Sequence, residues 1–239
     1  MEVHHAKISK DKAKHFREYL LEGLMIFLAV FMGFIAENIR EHISDNSKAK
    51  KYLASLYTDI KNDSAQLNDI IVLGEKLAKG QDSLLTALKA RPLPASSIDT
   101  VYQLFFKYGS IMPEFNATER TFNQLINTGN FRLIENEQLS DSIVNYYDKV
   151  KTAEAQAKVV ETNTMDCVVF AQNIFKLEYG LHMNAPHKSL LTDDAVTMEK
   201  YRNKLVQMRI SEQYYIMYEL NDLKKSCLHL IHLLEKVQG

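Results

Sequence analysis

Proline and glycine are scarce in this sequence, with four prolines and eight glycines among 239 residues. A β-rich chain needs turn residues far more often, and the Leu, Lys, Ala, Glu and Gln content points to long helices instead. An excess of positive charge is missing too, the formal net charge being -1. With no basic stripe to release counterions from phosphates, no zinc-knuckle spacing and no aromatic RNA-binding signature, nucleic acid is excluded as a partner. Gly74 and Gly80 bracket Glu-Lys-Leu-Ala-Lys, yet Gln81-Asp82 follows where a phosphate loop needs lysine and then Ser or Thr. There is no nucleophile elbow, no zinc-protease pair of histidines and no paired-cysteine redox motif. These absences argue for a protein that is not an enzyme and takes no cofactor. An apolar share of 46% with 25% charged residues is ordinary for a globular chain, which sets disorder aside.

What the sequence does have is the stretch 20–36, LLEGLMIFLAVFMGFIA, apolar on every side. A helix hydrophobic all round must be buried, in a protein core or in lipid. Its strictly uncharged part, residues 23–36, has the ambiguous length of about 14 residues. Extension over Tyr19 to Glu22 and over Glu37, Asn38 and Ile39 gives roughly 20 residues, the span of a hydrocarbon core with carboxylates near its ends. A core helix would carry an amphipathic stripe, which is lacking here. A cleaved signal peptide needs small residues before its cut, and Phe34-Ile35-Ala36 puts Phe there. The expectation is therefore a transmembrane helix whose immediate partner is the lipid bilayer. Lys7, Lys10, Lys12, Lys14 and Arg17 precede it, against Arg40, Lys48, Lys50 and Lys51 after it. This bias places the N-terminus in the cytoplasm and the C-terminal domain in the periplasm, across the inner membrane.

Beyond the span, Ala49, Leu53, Leu56, Ile60, Leu67, Ile70, Leu77, Leu84 and Leu88 recur by threes, fours and sevens. No proline interrupts residues 20–91, so the membrane helix is expected to continue as a stalk, up to ~100 Å in all if unbroken. Asp63, Gly74 and Gln81 occupy seam positions with Gly80 nearby, where a kink or a loosened contact is expected. Pro92-Leu93-Pro94 stops the helix. Two short helices follow, one over residues 98–108 capped by Ser96 or Ser97 and ended by Gly109, the other opened by Asn116-Ala-Thr-Glu119 and ended by Gly129. Phe122, Leu125 and Ile126 line a face of the second. Asn136 caps a long helix running to about Tyr179, with a seam at Tyr146, Val150, Ala153, Ala157, Val160, Thr164, Cys167, Ala171 and Ile174. Thr192 caps the last one, with a seam at Ile216, Leu220, Leu223, Cys227, Leu230, Leu234 and Val237.

The expected fold is all-α: a transmembrane helix continuing into a stalk, with an elongated antiparallel bundle of three long helices plus a short two-helix insert. The expected divisions are a tail at 1–18, the membrane helix at 19–39, the stalk at 40–91, the short hairpin at 92–135 and two long helices at 136–239.

Two patches carry a family likeness. One is Glu22-Gly23 through Ala36-Glu37-Asn38, followed by Lys51-Tyr52-Leu53 and Leu56; the other is Thr121-Phe122, Leu125, Gly129, Leu133-Ile134, Leu139, Ile143 and Tyr146-Tyr147. In these the chain resembles a large bacteroidete family of single-pass membrane proteins classed as a domain of unknown function, with a Glu at the start of its transmembrane helix. That family usually has tryptophan just past the helix, where this chain has Ile39-Arg40. The resemblance implies topology and fold, and no activity.

Within the span, Glu22 is an ionisable group in a membrane segment, open to headgroup placement, oligomer contact or proton coupling. Ala29 and Gly33 form a small-xxx-small pair that lets two membrane helices approach closely. Cys167 and Cys227 fall on core seams, as buried thiols or, if the helices pack antiparallel in an oxidising compartment, as a disulfide. His229 and His232 lie on the face away from Cys227, and His4 with His5, or His182 with His187, lack partners at ligand spacing. The expected role is a structural or protein-interaction module that self-associates or binds a membrane-protein partner. The alternative is a sensor or ligand-binding module in which Tyr102, Phe105, Phe106, Phe115, Phe122 and Tyr146 line a small-molecule site.

Overall fold

The computed structural model describes residues 7–90 and 92–238, with side chains placed over 16–90 and 92–237. His4, His5, the first residues of the expected tail and the expected last stalk residue, Arg91, lie outside the described residues. All regular structure among the described residues is helical. The chain divides into two units, residues 1–51 and 52–239.

Helix α1, Lys7–Ala87, supplies the regular structure among the described residues of the first unit. Every side chain of residues 16–43 is exposed, including Phe27 at 62%, Met32 at 63% and Phe34 at 71%. The helix is long and apolar enough to cross a membrane, and none of its most apolar window is buried. An uncovered apolar surface of this kind is compatible with a membrane anchor and unlike a core helix. Past the apolar run, Arg40 Nε donates to Glu37 at 2.9 Å and Lys48 Nζ to Asp45 at 2.9 Å.

The second unit contains the rest of α1, α2 (Ala95–Tyr108), α3 (Arg120–Asn127), α4 (Glu137–Ala171), α5 (Ala195–Tyr214) and α6 (Asn221–Gln238). α4 packs against α5 and α6. Its pairs Asn163 with Gln207, Asp166 with Lys204 and Lys149 with Asp222 fall on one helix as they rise on the other, so the packing is antiparallel. α1 meets the same C-terminal helices in antiparallel order, through Tyr57 to Glu235, Ile60 to Cys227 and Gln81 to Glu212.

Burial follows the expected periodicity. Leu53, Leu56, Ile60, Leu67, Leu77, Leu84 and Leu88 are buried, as are Tyr146, Val150, Ala153, Val160, Cys167 and Ala171 on α4. The seam from Leu53 onward is thus largely covered within the chain, with Ile70 half-buried. Of the C-terminal seam, Val237 is exposed, and on α3 Ile126 is exposed while Leu125 is buried. The core forms two apolar clusters. One gathers Leu53, Leu56, Ile60, Leu67, Tyr146, Val160, Tyr215 and Cys227, and the other gathers Leu84, Leu88, Phe105, Cys167, Phe175, Tyr201 and Met208.

Several helix ends differ from expectation for a local reason. α2 is capped by extended Pro94 with no side-chain bond, one turn before Ser97, whose N–H reaches the Pro94 carbonyl at 2.8 Å. α4 stops at Ala171, where the bonding tightens to three-residue spacing, Asn173 N–H to Phe170 at 3.0 Å and Ile174 N–H to Ala171 at 2.9 Å, and Asn173 Nδ2 also donates to the Phe170 carbonyl at 3.0 Å. Phe175 is thereby turned inward to stack on Phe105 at 4.4 Å. Asp194, not Thr192, caps α5, accepting from Val196 and Thr197. Asn136 caps α4 as expected, accepting from Leu139 at 2.9 Å. Between α5 and α6 the chain takes a π-helical turn, Tyr215–Leu220. Its extra residue per turn buries Tyr215 and Ile216 side by side, and Asn221 Nδ2 holds the Ile216 carbonyl at 2.7 Å.

Gly74 and Gly80 do not loosen α1. A Cβ on Gly74 would run into Ile216, and one on Gly80 into the Tyr108 ring. Each glycine marks a close approach of two helices, where a missing side chain leaves room for a large neighbour.

Candidate functional site

Two polar interlocks of the interior are built on α1. Asp59 and Asp63 stand one turn apart and are buried. Asp63 Oδ1 accepts from the Thr118 N–H at 2.9 Å, and its Oδ2 from the Tyr146 hydroxyl at 2.8 Å. Asp59 Oδ1 accepts from Arg120 Nη2 at 3.0 Å, while its Oδ2 takes the Thr121 N–H at 3.2 Å and the Thr121 hydroxyl. Tyr147 donates to the Thr118 carbonyl at 3.1 Å.

This interlock also explains the start of α3. Asn116 to Glu119 was expected to supply a capping box, but Glu119 is the N-cap and makes no side-chain cap bond. Asp59 reaches over from α1 to satisfy an N–H of the first turn. A carboxylate there also suits the positive end of the helix. Burial pushes the Asp63 carboxyl above its ordinary range, against the pull of its bonds to Thr118 and Tyr146.

The second interlock joins α1 to α5. Gln81 Nε2 donates to Glu212 Oε2 at 2.7 Å and lies 3.3 Å from the Tyr108 carbonyl, so two acceptors fix the orientation of the amide. Glu212 is 1% exposed. Burial pushes its carboxyl up to about 7, opposed by the Gln81 bond and the Arg209 charge. Arg209 Nε stands 3.5 Å from Asp82 Oδ1. Glu212 was not singled out from the sequence, although it stands four residues after buried Met208 and four before Ile216, a spacing that marks the inner face.

The expected site residues are scattered over the chain. Glu22, Ala29 and Gly33 are exposed on α1, and among the described residues no packed neighbour lies within 4 Å of where a Cβ on Gly33 would stand. Cys167 and Cys227 are free and buried in different apolar clusters. The helices do pack antiparallel, but the register puts Cys167 beside Tyr201 and Cys227 beside Ile60, where its thiol donates to the Ile60 carbonyl at 3.4 Å. Burial pushes each thiol up to about 12. His182, His187, His229 and His232 are exposed, and among the described residues no group of three or more His, Cys, Asp or Glu side chains could hold a metal ion.

The six aromatics of the ligand-site alternative fall into two separate clusters, with Tyr102, Phe105 and Phe106 in one and Phe115, Phe122 and Tyr146 in the other. Phe122 stacks on Tyr147 at 4.0 Å, and Tyr102 meets Phe175 edge-on at 5.3 Å. Between α1 and α2 a surface groove of about 470 Å³ is lined by Val72, Lys76, Lys79, Leu104 and Tyr108, and none of the six aromatics lines it. Asp63 to Tyr146, Asp59 to Thr121 and Gln81 to Glu212 are polar bonds made across helices, an arrangement that fixes register. Compared with family models, with curated proteins and with solved structures, the chain matches none.

Proposed function

We propose that the chain is a non-enzymatic single-pass protein of the inner membrane, with its N-terminus in the cytoplasm and a periplasmic helical bundle serving as a structural or protein-interaction module. The bundle is read as three long helices with a short two-helix insert. The observation that carries the reading is the exposed apolar face of α1 over residues 16–43. In water such a surface is unfavourable by about 25 cal/mol per Å², and in a bilayer it is matched. The excess of Lys and Arg ahead of the span supports the orientation, and the resemblance to the bacteroidete family supports the same topology.

Self-association is assigned to the anchor. Ala29 and Gly33 share one face of it, while the seam from Leu53 onward is largely covered inside the chain. Against an enzyme stands the character of the buried acidic pair on α1: Asp59 and Asp63 bond main chain or side chains of neighbouring segments.

Alkaline extraction of native membranes tests the placement, and thiol labelling of single cysteines introduced on either side of the span tests the orientation. Retention in the pellet, with periplasmic labelling beyond residue 45, is the expected result. Release into the supernatant would overturn the anchor.

A second reading, a membrane-anchored sensor that passes its signal to a separate partner, is favoured by the buried and incompletely bonded Gln81–Glu212 pair.

A further inference from the structure

The two apolar clusters of residues 52–239 meet at a polar layer. On α1 one cluster ends at Leu67 and the other begins at Leu84, with buried Leu77 and buried Gln81 between them. On α4 the boundary falls between Val160 and Cys167 and holds buried Thr164; on the C-terminal helix it falls between Met208 and Tyr215 and holds buried Ser211 and Glu212. Thr164 and Ser211 turn their hydroxyls onto the Val160 and Met208 carbonyls of their own helices, each at 2.8 Å. The Gln81–Glu212 bond is left to cross the layer.

That bond is half of what the two side chains can make. A carboxylic acid and a primary amide form a reciprocal pair, N–H to acid carbonyl and O–H to amide carbonyl. Here the first bond is present, and the two atoms that would make the second, Glu212 Oε1 and Gln81 Oε1, are both buried without a hydrogen-bond partner. Two acceptors face the interior with no donor, a costly arrangement for a buried layer. One proton supplies the missing donor.

We propose that the Gln81–Glu212 layer is a proton-operated joint: one proton taken from solvent onto Glu212 Oε1 forms an O–H bond that donates to Gln81 Oε1, tying the two halves of the core together, and its release loosens them. No other bond forms or breaks. The groups facing Glu212 are Gln81 on α1, the Tyr108 carbonyl at the end of α2, Cys167 on α4 and Arg209 on its own helix, with Asp82 of α1 beside Arg209. Arg209 favours the anion and burial opposes it, and burial is the larger effect. The π turn beginning at Tyr215 lies less than one turn beyond Glu212, and its Ile216 is the residue seated on Gly74. π turns inside α-helices recur at functional sites, and this one places a register-shifted segment beside the joint. The inference names the stimulus for the sensor reading, but it stands whether or not α1 enters a bilayer.

The test is amide hydrogen exchange on the full chain in mild detergent, comparing wild type with Glu212→Gln at the same pH so that intrinsic exchange rates cancel. Glutamine can make both bonds at any pH. At about pH 8.5 the wild type is expected to exchange about tenfold faster than the variant around residues 78–84 and 208–220, and at about pH 5.5 the two agree within about twofold. The same ratio at both pH values would overturn the proposal. Should the variant not fold, carboxyl NMR of wild-type chain labelled only at glutamate decides it. One glutamate titrating near neutrality is expected, and none doing so overturns the joint while leaving the membrane reading untouched.

Discussion

The Tyr146 hydroxyl donates to Asp63 Oδ2 across 2.8 Å, joining α4 to α1 at a point where both residues have no solvent exposure. Tyr146→Phe keeps the ring and removes this donor, leaving Asp63 with the Thr118 N–H. The expected loss is about 1–3 kcal/mol of unfolding free energy, because a buried carboxylate loses a partner that water does not replace. Urea denaturation of the single variants and of the Tyr146→Phe, Asp63→Asn pair measures it. Strictly additive effects would contradict a direct bond.

Stability is expected to fall as pH rises from about 4.5 to about 7. Glu212 in the folded chain holds its proton up to about 7, against an ordinary value of 4.5. Between those values the native state binds a proton that the unfolded chain has released, so the stabilisation is complete below the window and gone above it. The amplitude is on the order of 3 kcal/mol. Asp63 acts in the same direction, its carboxyl also being raised by burial. Denaturation midpoints across this range should slope for the wild type and flatten in Glu212→Gln; an equal slope in both would assign the effect to other groups.

Gly74→Ala and Gly80→Ala are expected to destabilise the protein despite the higher helix propensity of alanine. Overpacking against Ile216 and Tyr108 costs about 1–3 kcal/mol, against a gain of roughly 1 kcal/mol from propensity. Shortening the neighbour in the Gly74→Ala, Ile216→Val pair should recover part of the loss. Thermal melts are sufficient to show it.

Cys167 and Cys227 should resist thiol reagents in the folded protein and react on unfolding. Both are buried, with thiols held up to about 12, so little thiolate forms near neutrality. Labelling followed by mass spectrometry checks this. Rapid modification of the native chain would show that the core opens at these positions.

Gly33→Leu is expected to weaken self-association while leaving helicity unchanged, since among the described residues no packed neighbour lies within 4 Å of where its Cβ would stand. Crosslinking in mild detergent reads the difference. An unaltered oligomer would move the contact away from the Ala29 and Gly33 face.

Much of this architecture was legible before any coordinates. The buried positions Leu53, Leu56, Ile60, Leu67, Leu77, Leu84 and Leu88 recur at helical spacing, and that period comes from side chains a turn apart in the same segment. The Asn136 cap was legible for the same reason, its partner Leu139 being three residues away. Asp63 and Gln81 showed as polar residues on an apolar seam, but the partners that give them meaning did not. Gln81 waits on Glu212, 131 positions further along.

The sequence by itself determined that the chain is helical, where its apolar faces lie and that one segment is greasy on every side, because these follow from neighbours within a few residues. Tertiary structure decided that Asp59 satisfies a first-turn N–H of α3, that the two cysteines stand in different clusters, that Gly74 and Gly80 mark close contacts and that Glu212 sits buried opposite Gln81. Each of these depends on the register in which one helix lies against another. Register is set by the packing of whole faces, and no local stretch of sequence records it.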